Sequence, residues 1–232
     1  MNVELVRTFH LDAAHYNPNG SERQRRLHGH TYRVDIVVAG EVAPEHGWLV
    51  DYADIKTAFL PFHRQLDHQF LNEVEGMKTG TIPDLREWIV TRLRPVLPIL
   101  QDVRVAIVGD CAYAPVELPP DLEAHLPARI RFTFETAQDL PNLPERHPCR
   151  RLHGHSYRVE AAAADLSALK QELAALYDML DHRRLNDIEG LGHATCERLC
   201  EWIWNWLDGR GRQPAMVVVQ ETESARCVYH GP

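Results

Sequence analysis

The residues best placed to do chemistry are two histidines one glycine apart. His28 and His30 flank Gly29 in the stretch RRLHGHTYRV, which begins at Arg25. In an extended segment, residues two apart project from the same face, so the pair presents two imidazoles side by side. Two imidazoles are half of a metal site, and catalytic zinc takes three protein ligands and keeps a fourth position open. His15, near the end of the preceding apolar alternation, is the natural third. Any His-x-His pair can also be two half-buried polar residues on a strand. The third histidine and the hairpin context favour Zn2+ bound by His15, His28 and His30, where it would act as a Lewis acid.

The same stretch returns as RRLHGHSYRV from Arg150, agreeing at nine of ten positions. QLDHQFLNEVEG from Gln65 recurs as MLDHRRLNDIEG from Met179, and Glu-Trp-Ile at Glu87 recurs at Glu201. The offset between the copies falls from 125 to 114, because the second lacks a counterpart of VAGEVAPEHGWLV, which reads as the outer part of a hairpin. Both copies keep an Asp-His pair, Asp67-His68 and Asp181-His182. Such a pair suits proton transfer, the acid setting the charge and orientation of the imidazole. It also suits a helix C-terminus, where a protonated histidine meets the dipole. Retention in both copies favours a role.

Each copy reads β-β-α-α-β. ELVRTFHLDAAH and HGHTYRVDIVV alternate as paired strands around the Asn17-Pro18-Asn19-Gly20 turn. Leu166, Leu169, Leu173, Leu176 and Leu180 form one helical stripe. Leu199, Trp202, Ile203 and Trp206 form another, mirrored by Leu85, Trp88, Ile89 and Leu93. MVVVQE closes the second copy as a buried strand, and Pro61 is expected to kink or divide a helix of the first. These features predict an α+β chain: repeat one over 1–113, a proline-rich linker over 114–128, and repeat two over 129–232.

Composition excludes several classes. A net charge of -8 offers no basic face for nucleic acid. No basic n-region or long apolar run marks a signal peptide or a membrane span. Five cysteines at irregular spacing fit a reducing cytoplasm better than a disulfide framework. Cys196 and Cys200, four apart on a helix, read as buried apolar thiols. Fourteen histidines point to metal or acid-base chemistry, although His10, His46, His63, His125, His147, His193 and His230 belong to no motif. The Arg25-Arg26 and Arg150-Arg151 pairs suit either a triphosphate or solvated loop charge.

The ordered set F-x-x-x-A-A-H, L-H-G-H-x-Y-x-V, L-D-H-x-x-L-N, T-x-E-x-x-x-x-W-I and E-T resembles the 6-pyruvoyl-tetrahydropterin synthase and 6-carboxytetrahydropterin synthase family. The resemblance covers nearly the whole chain, twice. It implies two tandem T-fold repeats, each an antiparallel sheet with two helices on one face. It also implies a zinc-dependent lyase acting on 7,8-dihydroneopterin triphosphate or a close relative and giving 6-carboxy- or 6-pyruvoyl-tetrahydropterin. A pterin substrate, a homo-oligomer and a product used in queuosine-type deazapurine, folate or biopterin synthesis follow from the same resemblance.

Residue by residue, the resemblance is uneven. Repeat two has Gln138 where repeat one has His15, keeping His153 and His155. The family's catalytic cysteine falls on Cys149 in repeat two and on Gln24 in repeat one. Its pterin-holding residues fall on Thr195, Glu197 and Glu221, against Thr81, Pro83 and Ile107 in repeat one. A carboxylate such as Glu221 can accept the paired 2-amino and N3-H donors of a pterin.

The expectation is therefore one composite site. Zinc on His15, His28 and His30 would face Glu221, Thr195, Glu197 and Asp181-His182, while Cys149 would sit opposite Ile107 at a silent junction. Either Glu22 replaces the missing thiol, a change that points to side-chain cleavage giving 6-hydroxymethylpterin, or Cys149 supplies it from repeat two and the synthase reaction is kept. A catalytically altered pterin binder is a further alternative. A metal protein of the cupin kind would need more strands and a late histidine. With sites between repeats, rings closed through sheet edges would alternate the two repeats.

Overall fold

Alternating apolar residues build the first sheet of the computed structural model, which describes residues 1–45 and 47–232. Strand β1 (Asn2–His15) runs antiparallel to β2 (His28–Glu41), from Asn2 opposite Glu41 to His15 opposite His28. After helix α1 (Tyr52–Leu66) comes the two-residue strand β3 (Gln69–Phe70), parallel to β1. Helix α2 (Ile82–Leu93) and strand β4 (Leu100–Ile107) complete the repeat, in the order β3-β1-β2-β4. Ile55 and Phe59 of α1 and Leu85, Ile89 and Leu93 of α2 are buried against Leu11, Val34, Ile36 and Val103.

The second sheet repeats this plan with additions. It contains β5 (Val116–Leu118), β6 (Arg129–Gln138) and β7 (His153–Ala163), then helix α3 (Leu166–Leu180) and the short β8 (Arg183–Arg184). Helix α4 (Cys196–Asp208), β9 (Pro214–Thr222) and β10 (Ala225–Tyr229) follow. The order is β10-β9-β7-β6-β5, with β8 beside β6. Leu169, Leu173 and Leu176 of α3 and Leu199, Ile203 and Leu207 of α4 pack on Phe132, Phe134, Val159, Val217 and Val219. The fold is thus α+β, with two helices covering each sheet.

Three expectations change. Helix α1 is not divided at Pro61, which sits on its exposed side. Part of the expected linker is the edge strand β5, paired with Arg129–Arg131. Among the described residues the two repeats share no ladder, so their sheets do not join edge to edge within the chain. His46 lies outside the described residues. In the same segment, Ala43 and Trp48 form an isolated bridge, and repeat two lacks a counterpart because α3 begins three residues after β7 ends.

Candidate functional site

The repeats meet through their His-Gly-His strands. A Cβ on Gly29 would lie 2.4 Å from the Cα of Gly154, and one on Gly154 would lie 2.2 Å from the Cα of Gly29. Glycine is required at both places because the backbones cross. Two residues on, the contact is reciprocal: Thr31 N–H donates to Ser156 Oγ at 3.1 Å, and Ser156 N–H to Thr31 Oγ1 at 3.2 Å. This pseudo-twofold contact creates two junctions, each built from both repeats.

At the first junction His15, His28 and His30 converge. Their ligand atoms lie within 4.8 Å of one another, and His30 Nε2 is 3.1 Å from His15 Nε2. His28 Nδ1 faces Arg26 O at 2.8 Å, and His30 Nδ1 faces Glu135 Oε2 at 2.6 Å. Burial, reinforced by neighbouring imidazoles, holds His15 and His28 down to about 2 and His30 to about 3. Three buried neutral imidazoles with nitrogens turned on one point form a donor set that fits zinc.

Repeat two supplies His182, whose ring centroid is 4.1 Å from that of His28. His182 Nδ1 lies 2.7 Å from Asp181 Oδ2, and Arg23 donates to the same oxygen at 3.0 Å. Burial opposes ionisation of Asp181, but its bonds to His182 and to the Glu135 N–H hold it below its ordinary range. The adjoining cavity of about 370 Å³ is bounded by Gln24, Thr81, Pro83, Ile107 and Cys111.

At the second junction His153 and His155 face Asp67 and His68 of repeat one, and the ligand atoms of His68, His153 and His155 also lie within 4.8 Å. The Nε2 atoms of His153 and His155 are buried without hydrogen-bond partners among the described residues. Gln138 stands opposite His153 in the ladder and donates through Nε2 to Glu221 Oε1 at 2.9 Å. Its amide is thus committed to the carboxylate, so this junction fits a metal through two histidines.

A relay crosses the second junction. His68 Nδ1 lies 3.0 Å from Asp67 Oδ2, and His68 Nε2 lies 3.6 Å from Cys149 Sγ. Burial works against charge on His68, but its bonds to Asp67 and Cys149 prevail and raise it to about 10. His68 and His182 both adopt φ of 54°, a left-handed conformation rare for a residue other than glycine. Their N–H groups donate to Asp12 O at 2.7 Å and Glu135 O at 2.6 Å, which holds each Asp-His turn in place.

Cys149 also lines a cavity of about 490 Å³ with Thr195, Glu197 and Glu221. The Tyr157 hydroxyl lies 2.7 Å from Gln138 Oε1 and 2.9 Å from Glu221 Oε1. The Glu221 side chain remains 29% exposed, 3.3 Å from His155 Nε2. Thr195 caps α4, accepting from Arg198 N–H at 3.4 Å. The equivalent hydroxyl in the first junction is that of Tyr32, a residue paired with Ile107 in the ladder, and it has no partner among the described residues.

The expected composite is therefore rearranged within the chain. Asp181-His182 does join His15, His28 and His30, but Glu221, Thr195 and Glu197 lie with Cys149 and Asp67-His68. Each HxH pair keeps the end of its own repeat's last long strand, because β7 pairs with β9 just as β2 pairs with β4. Ile107 accordingly borders the histidine triad and is not opposite Cys149.

Glu22 is exposed and paired with Arg26 at 3.0 Å and does not line the cavity beside the triad, which Arg23 enters. Arg151 donates to His68 O at 3.0 Å and Arg150 to Pro141 O and Leu143 O, so both act on backbone. Asp12 and Glu135 were missed. Their signal was the matching acid three residues before His15 and before Gln138.

The sequence pattern of the 6-pyruvoyl tetrahydropterin synthase family matches residues 4–111 and again 128–232. The chain is 31% identical over 107 residues to 6-carboxy-5,6,7,8-tetrahydropterin synthase of Synechocystis sp., covering 44% of this chain and 83% of that protein. It is 32% identical over 98 residues to dihydroneopterin monophosphate aldolase of Pyrococcus furiosus, covering 42% and 81%. The solved 6-pyruvoyl tetrahydropterin synthase of Caenorhabditis elegans aligns with a TM-score of 0.41 at 22% identity, over 46% of this chain and 89% of that one.

Proposed function

The chain belongs to the 6-pyruvoyl tetrahydropterin synthase family, and we propose that it is a zinc-dependent lyase acting on 7,8-dihydroneopterin triphosphate or a close relative. The product is 6-carboxy- or 6-pyruvoyl-tetrahydropterin. One observation carries this reading: the cleft that holds Cys149 against the His68–Asp67 pair also holds Glu221, Thr195 and Glu197.

A pterin edge offers two parallel donors, its 2-amino group and N3-H, and a carboxylate at Glu221 accepts both. A ligand without that fork leaves the acid unmatched, which is a basis for selection. At the reacting end a proton moves between Cys149 Sγ and His68 Nε2, while the Asp67 carboxylate, 3.0 Å from Nδ1, stabilises the charged ring. Zinc held by His153 and His155 would polarise the side-chain oxygens of the substrate, and His15, His28 and His30 would hold a second ion more tightly.

Mass spectrometry of the products formed from 7,8-dihydroneopterin triphosphate tests the reading. Synthase-type product that requires added zinc after dialysis supports it. Release of 6-hydroxymethyl-dihydropterin favours a second reading, side-chain cleavage, for which the likeness to the Pyrococcus furiosus aldolase speaks. Unchanged substrate would leave a pterin-binding protein. No described helix is long and apolar enough to cross a membrane. A cytoplasmic homo-oligomer remains part of the proposal, since β1 pairs with β3 only at Ala13 and Ala14 and leaves most of its outer edge open.

A further inference from the structure

Glu135 belongs to repeat two, yet its side chain serves repeat one. It is fully buried on β6, and its Oε2 lies 2.6 Å from His30 Nδ1 and accepts from Ser156 Oγ at 2.6 Å. Gly109 closes the other side, since a Cβ there would fall 1.7 Å from Glu135 Oε1. The backbone of the same residue holds the Asp181-His182 turn: its N–H donates to Asp181 Oδ1 at 2.9 Å, and its carbonyl accepts from His182 N–H at 2.6 Å. One residue thus fixes both the metal-type histidine of one repeat and the Asp-His pair of the other.

Asp12 is its counterpart. It carries the backbone bonds to Asp67 and His68, and its Oδ1 accepts from Thr31 Oγ1 at 2.6 Å and lies 3.2 Å from His155 Nδ1, which makes no hydrogen bond among the described residues. The shorter side chain leaves the longer contact.

We infer that Glu135 is the positioning residue for metal binding at the first junction, orienting His30 in trans, while Asp12 at the second lies beside His155 only as a charged neighbour. A histidine that binds metal through Nε2 carries its proton on Nδ1. Donating that proton to a carboxylate fixes the tautomer, aims the ring and makes Nε2 a better ligand. His28 meets the same need with the Arg26 carbonyl. The tight metal site of one repeat is therefore completed by the other. This inference rests on the proposed zinc reading.

The test is competition titration of zinc and cobalt(II) into the full metal-free chain against a chromophoric chelator. Wild type is compared with Glu135→Gln, Glu135→Ala and Asp12→Asn. Loss of an outer acceptor weakens metal binding by about 10–100-fold. Glu135→Gln should therefore lower the affinity of the tight site by at least about tenfold and alter its cobalt d–d spectrum. The melting temperature of the metal-free protein should stay close to wild type, because glutamine is isosteric. Glu135→Ala should weaken the tight site further, and Asp12→Asn should leave the tight site unchanged.

Wild-type affinity in Glu135→Gln overturns the inference and leaves the zinc reading standing. Equal weakening of both sites by Glu135→Gln also overturns it, marking the acid as a general structural element. A wild-type chain that takes up neither metal removes the zinc reading and the inference together.

Discussion

The two junctions have the same parts list and have lost different parts. The first keeps three histidines but has Ile107, Pro83 and Gln24 where the second has Glu221, Glu197 and Cys149. The second keeps those three and has Gln138 where the first has His15. Both keep the Asp-His turn, the left-handed histidine and the crossing glycines. The contacts that join the repeats are present in duplicate, whereas the metal-type histidines and the groups proposed to meet a pterin lie on opposite sides. The Tyr32 and Tyr157 hydroxyls show it at one position: one, on a residue paired with Ile107, has no partner among the described residues, the other is bonded to Glu221.

The contrast can be broken at the pterin anchor first. Glu221→Gln should lower kcat/KM by up to about 100-fold, the scale of one charged hydrogen-bonded contact. Steady-state kinetics check this, and Ile107→Glu should leave the same parameters near wild type. The crossing point comes next, because both junctions depend on it. Gly154→Ala forces a methyl group into the Gly29 backbone and should cost about 1–3 kcal/mol of stability, read as a lower midpoint in urea.

Smaller effects sharpen the comparison. Gln138→His should give the second junction a complete triad, so that metal analysis after dialysis finds two retained ions per chain where wild type retains one. Asp67→Asn should move His68 down from about 10 toward the ordinary histidine range, because the bond that favours its charged form is weakened. Histidine NMR titration would show the shift.

Much of this was legible in the sequence. The HxH pairs and Asp-His pairs were visible because they recur at fixed offsets, and the helices because their leucines and tryptophans keep a 3.6-residue period. The pairing of groups between repeats was not. Which Asp-His pair meets which HxH pair depends on how β2 crosses β7, a contact made by two glycines that sequence patterning reads only as small residues. Placing Glu221 beside its own repeat's histidines needed the register of β9 on β7. Glu22 looked like a thiol substitute by proximity in the chain, but the turn at Ser21 sends its side chain outward to Arg26 and brings Arg23 in. Asp12 and Glu135 were hidden because an acid on a buried strand has no meaning until its partner from the other repeat is known.

The central claim is that thiol, relay and pterin anchor work at the second junction while the tight metal sits at the first. Product formation from 7,8-dihydroneopterin triphosphate by Cys149→Ser and His28→Ala, with added zinc and with bound metal quantified, tests it most directly. Cys149→Ser should lose turnover by about 10²–10⁴-fold, the range of a positioned proton-transfer group, and keep its tightly held zinc. His28→Ala should lose that zinc and still form product. An active Cys149→Ser beside a silent His28→Ala would place the chemistry at the first junction and contradict the account.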